Sequence, residues 1–415
     1  MLLVYNDRIR KLALDLPVDR MQEIEPQLSG VFPILVDVSI SVARCDYGAR
    51  RREDVPEWQP VATPLPSIRY LRLLFVKTPW VLGRFQNLVE FFLHEQPCSD
   101  FNPTMEIFLQ VLDSSPQLAV LSVANAGPWL PLDTTILPPA TRVIRLPNLQ
   151  RLYLEEDDAC DIGWMLTHLE IPASANVRVF LDFSSRIWTI PLELVFDLVF
   201  PDHPGFPHLT NIRRCTYAMY CKPSSTITAT NFVFTVAWDY DAHTHFDNFM
   251  MPFLRRATAA GVIEDLAIFY DMTTEYSAST LRWDEIFGTL SSLRKLQVEQ
   301  PPHDLDLSIR GLFESPPGPA LRDLWLLYLT LEEEGENWEE FAERLVDFCA
   351  ERDRKGCRLE RLVIETVHPP PDLGSLLAPY VDHFEIRKGF LRYHDFSPEF
   401  QSVVSERMSR FPRGM

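Results

Sequence analysis

The chain has 415 residues, of which 46% are apolar and 23% charged, so it folds with an ordinary core but is too long for one compact unit; two domains or one elongated repeat array are expected. A net charge of −19 argues against a phosphate-backbone partner, because nucleic-acid binders displace counterions with clustered Lys and Arg. The one compact basic run, Arg50-Arg51-Arg52, is followed at once by Glu53 and Asp54 and reads as a solvated loop.

Taken in chain order, the residues keep repeating one phrase, apolar-x-x-apolar-x-apolar. It begins at Ile9 (with Leu12 and Leu14), Leu35 (Val38, Ile40), Ile68 (Leu71, Leu73) and Leu88 (Phe91, Leu93). It returns at Leu118 (Leu121, Val123), Leu149 (Leu152, Leu154) and, more loosely, Ile212 (Cys215, Tyr217). The last copies begin at Ile263 (Leu266, Ile268), Leu293 (Leu296, Val298), Leu321 (Leu324, Leu326), Leu359 (Leu362, Ile364) and Val381 (Phe384, Ile386). Each copy alternates as a strand does when one of its faces is buried. VRVFLDF and TNFVFTVAW are strand-like runs in the longer gaps.

Between phrases the period becomes helical. In NPTMEIFLQVLDSSP, Met105, Phe108, Leu109 and Leu112 form one stripe, with Asn102 placed to cap the first turn and Pro103 at the first helical position. DIGWMLTHLEIP repeats the stripe with Ile162, Met165, Leu166 and Leu169, and NWEEFAERLVDFCAE with Trp338, Phe341, Leu345 and Phe348. Strand, helix and strand recurring roughly every thirty residues predict an α/β fold, an irregular leucine-rich-repeat-like solenoid with a curved parallel sheet and helices on its outer face. Residues 1–395 would form this single elongated domain, with Pro-rich insertions at 44–66, 125–145, 185–210 and 299–320. Residues 396–415, FSPEFQSVVSERMSRF and a short tail, would cap the last repeat. The Asn or Cys that ordinarily closes such a phrase is missing in most copies; Asp157 and Ala126 stand at two of those positions.

Catalytic chemistry is poorly represented. No Gly-x-Ser-x-Gly elbow, P-loop or Gly-x-Gly-x-x-Gly occurs, so neither an enzyme nor a cofactor is expected. Seven cysteines form no Cys-x-x-Cys pair and read mainly as reduced core thiols. Glu155-Glu156-Asp157-Asp158 and Glu332-Glu333-Glu334 read as helix-start anions facing water. In WDYDAHTHFD, Asp239, Asp241, His243 and His245 alternate and would share one side of an extended strand, where carboxylate and imidazole could hold a divalent transition metal. The plainer reading of that stretch is a polar strand end after the apolar run NFVFTVAW.

If the phrases form a sheet, their intervening residues face away from the helices. Glu90, Phe92, Arg151, Tyr153, Phe269, Lys295, Asp323 and Trp325 fall there, and aromatic anchors interleaved with charges have the composition of a protein-binding surface. The competing reading is that insertions cover this face and the aromatics are core. Residues 1–16 are too charged for a signal peptide and no apolar run of about eighteen residues occurs, which makes cytoplasm or nucleus the expected location.

RIRKLALDLP followed by PSIRYLRLL, LGRFQNLVEFFLHE, FLQVLDSSPQLAVLSVANAGP and LPNLQRLYLEED resembles the F-box/leucine-rich-repeat-like proteins of mushroom-forming fungi. The resemblance implies a substrate-recognition subunit of a Skp–cullin–F-box ubiquitin ligase, whose N-terminal F-box grips the Skp adaptor while the repeats select a protein target. Here Ile9 already lies inside a repeat with no helical F-box before it, so a Skp partner is expected only if an F-box is restored upstream. IPLELVFDLVF, residues 190–200, imitates an F-box opening but is followed by helix-breaking PDHPGFPHL, and reads as a repeat helix. The alternative is a repeat scaffold with no ligase role, and a third reading is a metal-dependent enzyme using the cluster from Asp239 to His245.

Overall fold

The computed structural model describes residues 7–18, 20–21, 23–24, 32–43, 58, 67–95, 102–130, 137–182, 192–200, 207–209, 212–220, 224–237, 246–260, 262–270, 283–299, 312–313, 318, 320–329, 338–366 and 372–388. Among them, fifteen strands make one sheet. Its spatial order is β1 (Lys11–Pro17), β2 (Asp37–Ala43), β3 (Tyr70–Leu74), β4 (Glu90–His94), β5 (Val120–Ala124), β7 (Arg151–Glu156), β9 (Asn176–Asp182), β12 (Phe232–Ala237), β11 (Ser224–Ala229), β10 (Arg214–Tyr220), β13 (Asp265–Tyr270), β14 (Lys295–Glu299), β15 (Asp323–Leu329), β16 (Leu359–Thr366) and β17 (Val381–Lys388). Two short strands, β6 (Ile144–Arg145) and β8 (Leu169–Glu170), pair separately.

The recurring phrase sets the register. Leu12, Val38, Leu71, Phe91, Leu121, Leu152 and Val177 stand opposite one another along seven consecutive strands, with Leu14, Ile40, Leu73, Leu93, Val123, Leu154 and Val179 in the next row. A one-residue slip would turn a whole row of core side chains towards solvent, so each copy holds its neighbour in place. Seven α-helices have both ends among the described residues: α1 (Met105–Asp113), α2 (Ala159–Thr167), α3 (Leu192–Val199), α4 (Phe246–Ala260), α5 (Trp283–Thr289), α6 (Trp338–Arg354) and α7 (Leu373–Leu377). Each contributes to the same core as these strand rows, so none of these seven helices lies on the opposite face of the sheet. None of the described helices is long and apolar enough to cross a membrane.

The sheet departs from the all-parallel expectation in the middle. After β9 the chain passes α3, lays down β10 three places further on, and then fills the two-strand gap backwards with β11 and β12. β11 is antiparallel to both its neighbours, while β12 and β10 run parallel to β9 and β13. Residues 75–89, between β3 and β4, also cross without a helix, and the expected insertion 185–210 contains α3. The capping segment 396–415 lies outside the described residues.

Phe75, Glu95 and Asn125, the residues just after β3, β4 and β5, have left-handed φ values of 56°, 53° and 47°. Each donates its backbone N–H to the strand-end carbonyl of the following unit, at His94 (3.1 Å), Ala124 (2.7 Å) and Glu155 (2.7 Å). A non-glycine residue in this region costs about 1 kcal/mol, and the same corner is nevertheless kept in three successive units.

Two local expectations are corrected. Thr104, not Asn102, caps α1: its Oγ1 accepts from Ile107 N at 3.3 Å. Thr104→Ala should therefore cost about 1 kcal/mol in urea denaturation, and an unchanged midpoint would show that the cap contributes nothing. In the 155–158 cluster, Asp158 does begin α2 by accepting from Cys160 N at 2.8 Å, but Glu156 does not face water. It is 2% exposed, and its Oε1 accepts from Ala126 N and Gly127 N, both at 3.1 Å, while Oε2 accepts from Trp129 Nε1 at 2.9 Å. Asp161, also buried, accepts from Leu130 N at 2.7 Å. Two carboxylates thus clamp the backbone that leaves β5. Burial, then the nearby Asp161 charge, pushes the Glu156 carboxyl up to about 8.

Candidate functional site

The face opposite the described helices is a continuous set of rows. One runs Ala13, Ser39, Arg72, Phe92, Ser122, Tyr153, Arg178, Val233, Thr228, Thr216, Ala267, Gln297, Trp325, Val363 and Glu385 across all fifteen strands. Its large side chains gather on the two flanks. The middle, from Val233 to Ala267, is small and uncharged, because the antiparallel insertion brings threonines there; Thr226 and Thr235 join through their hydroxyls at 2.9 Å in the neighbouring row.

On the first flank Arg72 pairs with Glu90 and lies 5.3 Å from the centre of the Phe92 ring. His94 bonds Ser122 Oγ through Nε2 at 2.7 Å, with the Tyr153 ring 6.3 Å away, and the Tyr153 hydroxyl donates to Glu155. The His94–Ser122 contact has the form of a base and nucleophile. Ser122 is only 2% exposed, so it offers no attacking oxygen to a substrate. Larger side chains of β4 and β7 flank the small residues of β5, which is buried along its whole length.

On the second flank three cations surround one indole. Lys295 Nζ is 4.1 Å from the centre of the Trp325 ring, and the Arg361 and Arg387 guanidinium carbons are each 5.0 Å away. Glu385 joins both arginines at 2.7 Å, and those hydrogen bonds hold its carboxyl down to about 2. The row beside Trp325 alternates in sign, Arg214, Asp265, Lys295, Asp323 and Arg361, with Arg214 and Asp265 2.9 Å apart. Cross-strand neutralisation of this kind supports the register as well as shaping a surface. Burial first, and Glu360 second, raise the pKa of Asp323 against the opposing pull of Lys295 and Arg361. Burial and Glu365 likewise push Glu299 up to about 7.

The structure therefore divides the eight sequence-predicted face residues. Glu90, Phe92 and Tyr153 join the first cluster, and Lys295, Asp323 and Trp325 the second. Arg151 is exposed beside Val120, and Phe269 lies half-buried next to Ala218 and Glu299. Arg72, Ser122, Arg361, Glu385 and Arg387 were not singled out, although Arg72, Ser122 and Glu385 each sit between the last two apolar letters of a phrase. About seven strand spacings, roughly 34 Å along the sheet, separate Tyr153 from Trp325.

Asp239, Asp241, His243 and His245 lie outside the described residues, and among the described ones no group of three or more His, Cys, Asp or Glu could hold a metal ion. Cys160, Cys215 and Cys349 are buried free thiols, and burial raises the pKa of each. No protein-family model, curated protein or solved structure matches the chain.

Proposed function

We propose that this protein is a non-enzymatic recognition module, an irregular leucine-rich-repeat-like solenoid whose sheet face opposite the described helices binds another protein. The observation that carries the reading is the Trp325 cluster: an aromatic anchor held by three cations and one bridging carboxylate, on a broad face that no described helix covers. Pre-ordered aromatic and Arg side chains are what protein interfaces concentrate their energy in, because little further freedom is lost on binding. The repeated left-handed corners after β3, β4 and β5 support the repeat reading, since one backbone solution recurs where the phrase recurs.

Within this reading the sequence resemblance favours a target receptor of a Skp–cullin–F-box ubiquitin ligase, and a scaffold without ligase role is the alternative. Co-purification separates them: a Skp adaptor bound stoichiometrically supports the receptor, and its absence after any upstream F-box is restored leaves the scaffold. For the face itself, proteins captured by the wild type should be retested with purified components. Trp325→Ala and Tyr153→Ala should each weaken a direct partner at least about tenfold with the thermal unfolding cooperative. A partner whose affinity is untouched by both substitutions would place recognition elsewhere.

A further inference from the structure

The strands inside the sheet bury their inward apolar row completely, and β17 does not. Leu324, Leu326, Leu362 and Ile364 are all 0% exposed. Phe384 and Ile386, which stand opposite Leu362 and Ile364 one strand further out, are only half-buried. Phe384 leans on α7, where a methyl at Gly374 would lie 3.5 Å from its Cε1, whereas Ile386 takes no part in the core. Among the described strands β17 is the margin of the sheet and pairs with β16 alone. A strand in that position offers a row of backbone N–H and C=O groups to any further strand. Prolines, bulges and repelling charges are the usual guards of such an edge. β1, at the other margin, ends in Pro17, which has no N–H to give. The eight residues of β17 contain neither proline nor glycine and follow β16 in one unbroken register.

The charges on β17 are of opposite sign at its two ends, so the strand complements itself. By the pleat, Asp382, Phe384, Ile386 and Lys388 share the inward side, and Asp382 and Lys388 are exposed. Asp382 also lies 2.7 Å from Arg358 and keeps 51% of its side chain in solvent. A two-fold axis at Glu385 would set a second β17 antiparallel to the first. Asp382 then faces Lys388 of the partner subunit and Phe384 faces Ile386 of the partner subunit, and the symmetry makes each contact twice. Sliding the strands by two residues leaves Asp382 facing isoleucine or Lys388 facing phenylalanine, so charge and apolarity select one register. On the other side Glu385 meets its own copy, but each carboxylate is already bonded to Arg361 and Arg387 at 2.7 Å. The one unmatched neighbour pair is His383 with Arg387 of the partner subunit.

We propose that β17 is a self-association edge, to which a second copy of this chain adds as an antiparallel strand and joins the two sheets into one. The recognition reading rests on Trp325, two strands further in, and on a different partner, so either can fail without the other.

Sedimentation equilibrium on the full chain tests it. One added strand is a small interface, so a reversible dimer with a Kd of roughly 1–100 μM is expected. Lys388→Asp sets two carboxylates against each other at both ends of the pairing and should weaken the dimer at least about tenfold, while Lys388→Arg should leave it unchanged. Ile386→Asp, at a position outside the core, should abolish the dimer over the same concentrations. A wild-type chain that stays monomeric at about 300 μM overturns the proposal, and is the result expected if another part of the chain occupies the edge. A dimer that Lys388→Asp and Ile386→Asp both leave intact also overturns it, since such a dimer uses another surface, the β1 margin included. Should Ile386→Asp unfold, Lys388→Asp decides alone, because Lys388 is exposed and its replacement leaves the core untouched.

Discussion

Gly163→Ala is expected to cost about 3 kcal/mol of folding stability, or to abolish the native fold, and urea denaturation followed by circular dichroism would measure it. Gly163 lies in α2 where that helix crosses α3, and a methyl group there would stand 1.8 Å from the Leu198 carbonyl oxygen, 2.9 Å from its carbon and 3.1 Å from Leu137 Cδ1. The first two atoms are backbone, so no rotamer change relieves the clash; α2 and α3 must separate. Both helices lie over the join between β7, β9 and the inserted strands, so their separation would open the core at its middle. Gly288→Ala is the control. That position in α5 has nothing within 4 Å, and alanine favours helix over glycine by up to about 1 kcal/mol, so stability should hold or rise. Equal losses at the two sites would show that helix propensity, and not the close crossing, decides the outcome.

The second large effect is expected at Glu156. Its folded-state carboxyl titrates near 8 against an ordinary value of 4.5, so its contribution to stability is complete below about pH 4.5 and is lost as the pH climbs through about 8. Between those limits the wild type should lose up to about 1.4 kcal/mol per pH unit relative to a protein in which the group cannot ionise. Glu156→Gln is that protein. It keeps an acceptor for Ala126 N and Gly127 N but turns an amide N–H towards Trp129 Nε1, where donor meets donor. At pH 5 Glu156→Gln should therefore be less stable than wild type by about 1 kcal/mol, and by pH 8 the order should reverse. Glu156→Ala, which abandons all three donors, should be the least stable at pH 5. Parallel pH profiles for wild type and Glu156→Gln would mean that this carboxyl is not driven up by burial.

The strand rows were legible because a period of two is a strong signal when it is repeated a dozen times. Leu152 and Leu154 could be aligned with Leu121 and Val123 by counting alone, and the structure pairs them so. The helices of 105–113 and 159–167 followed from their apolar stripes, and Leu169, the last letter of the second stripe, slipped past the helix end into β8. Glu156 was hidden by its company. Four consecutive acids look like a solvated cluster, yet Glu156 has the same parity as Leu152 and Leu154, and that parity marked it as inward-facing. β11 was missed for a different reason. SSTITA alternates threonine with apolar residues, but its turn is Thr230-Asn231, which lacks the Asn-Gly signature of a tight hairpin. On the open face, sequence showed which residues share a side, since the pleat dictates it. Which of them cluster depends on strand order, and that order changes at β10, so the isolation of Trp325 from Tyr153 could not be counted from the chain.

The backward fill at β10, β11 and β12 also bears on how the molecule assembles. Every other neighbouring pair in the large sheet joins residues separated by a crossover, whereas β11 meets β12 across a two-residue turn and β10 across residues 221–223. Such hairpins close in about 1–10 μs, far sooner than parallel pairs that must first shut a long loop. The centre of the polypeptide is thus its cheapest place to start, and order can spread from there towards Lys11 in one direction and Lys388 in the other, so that the two outer margins are the last parts to form and the first to fray.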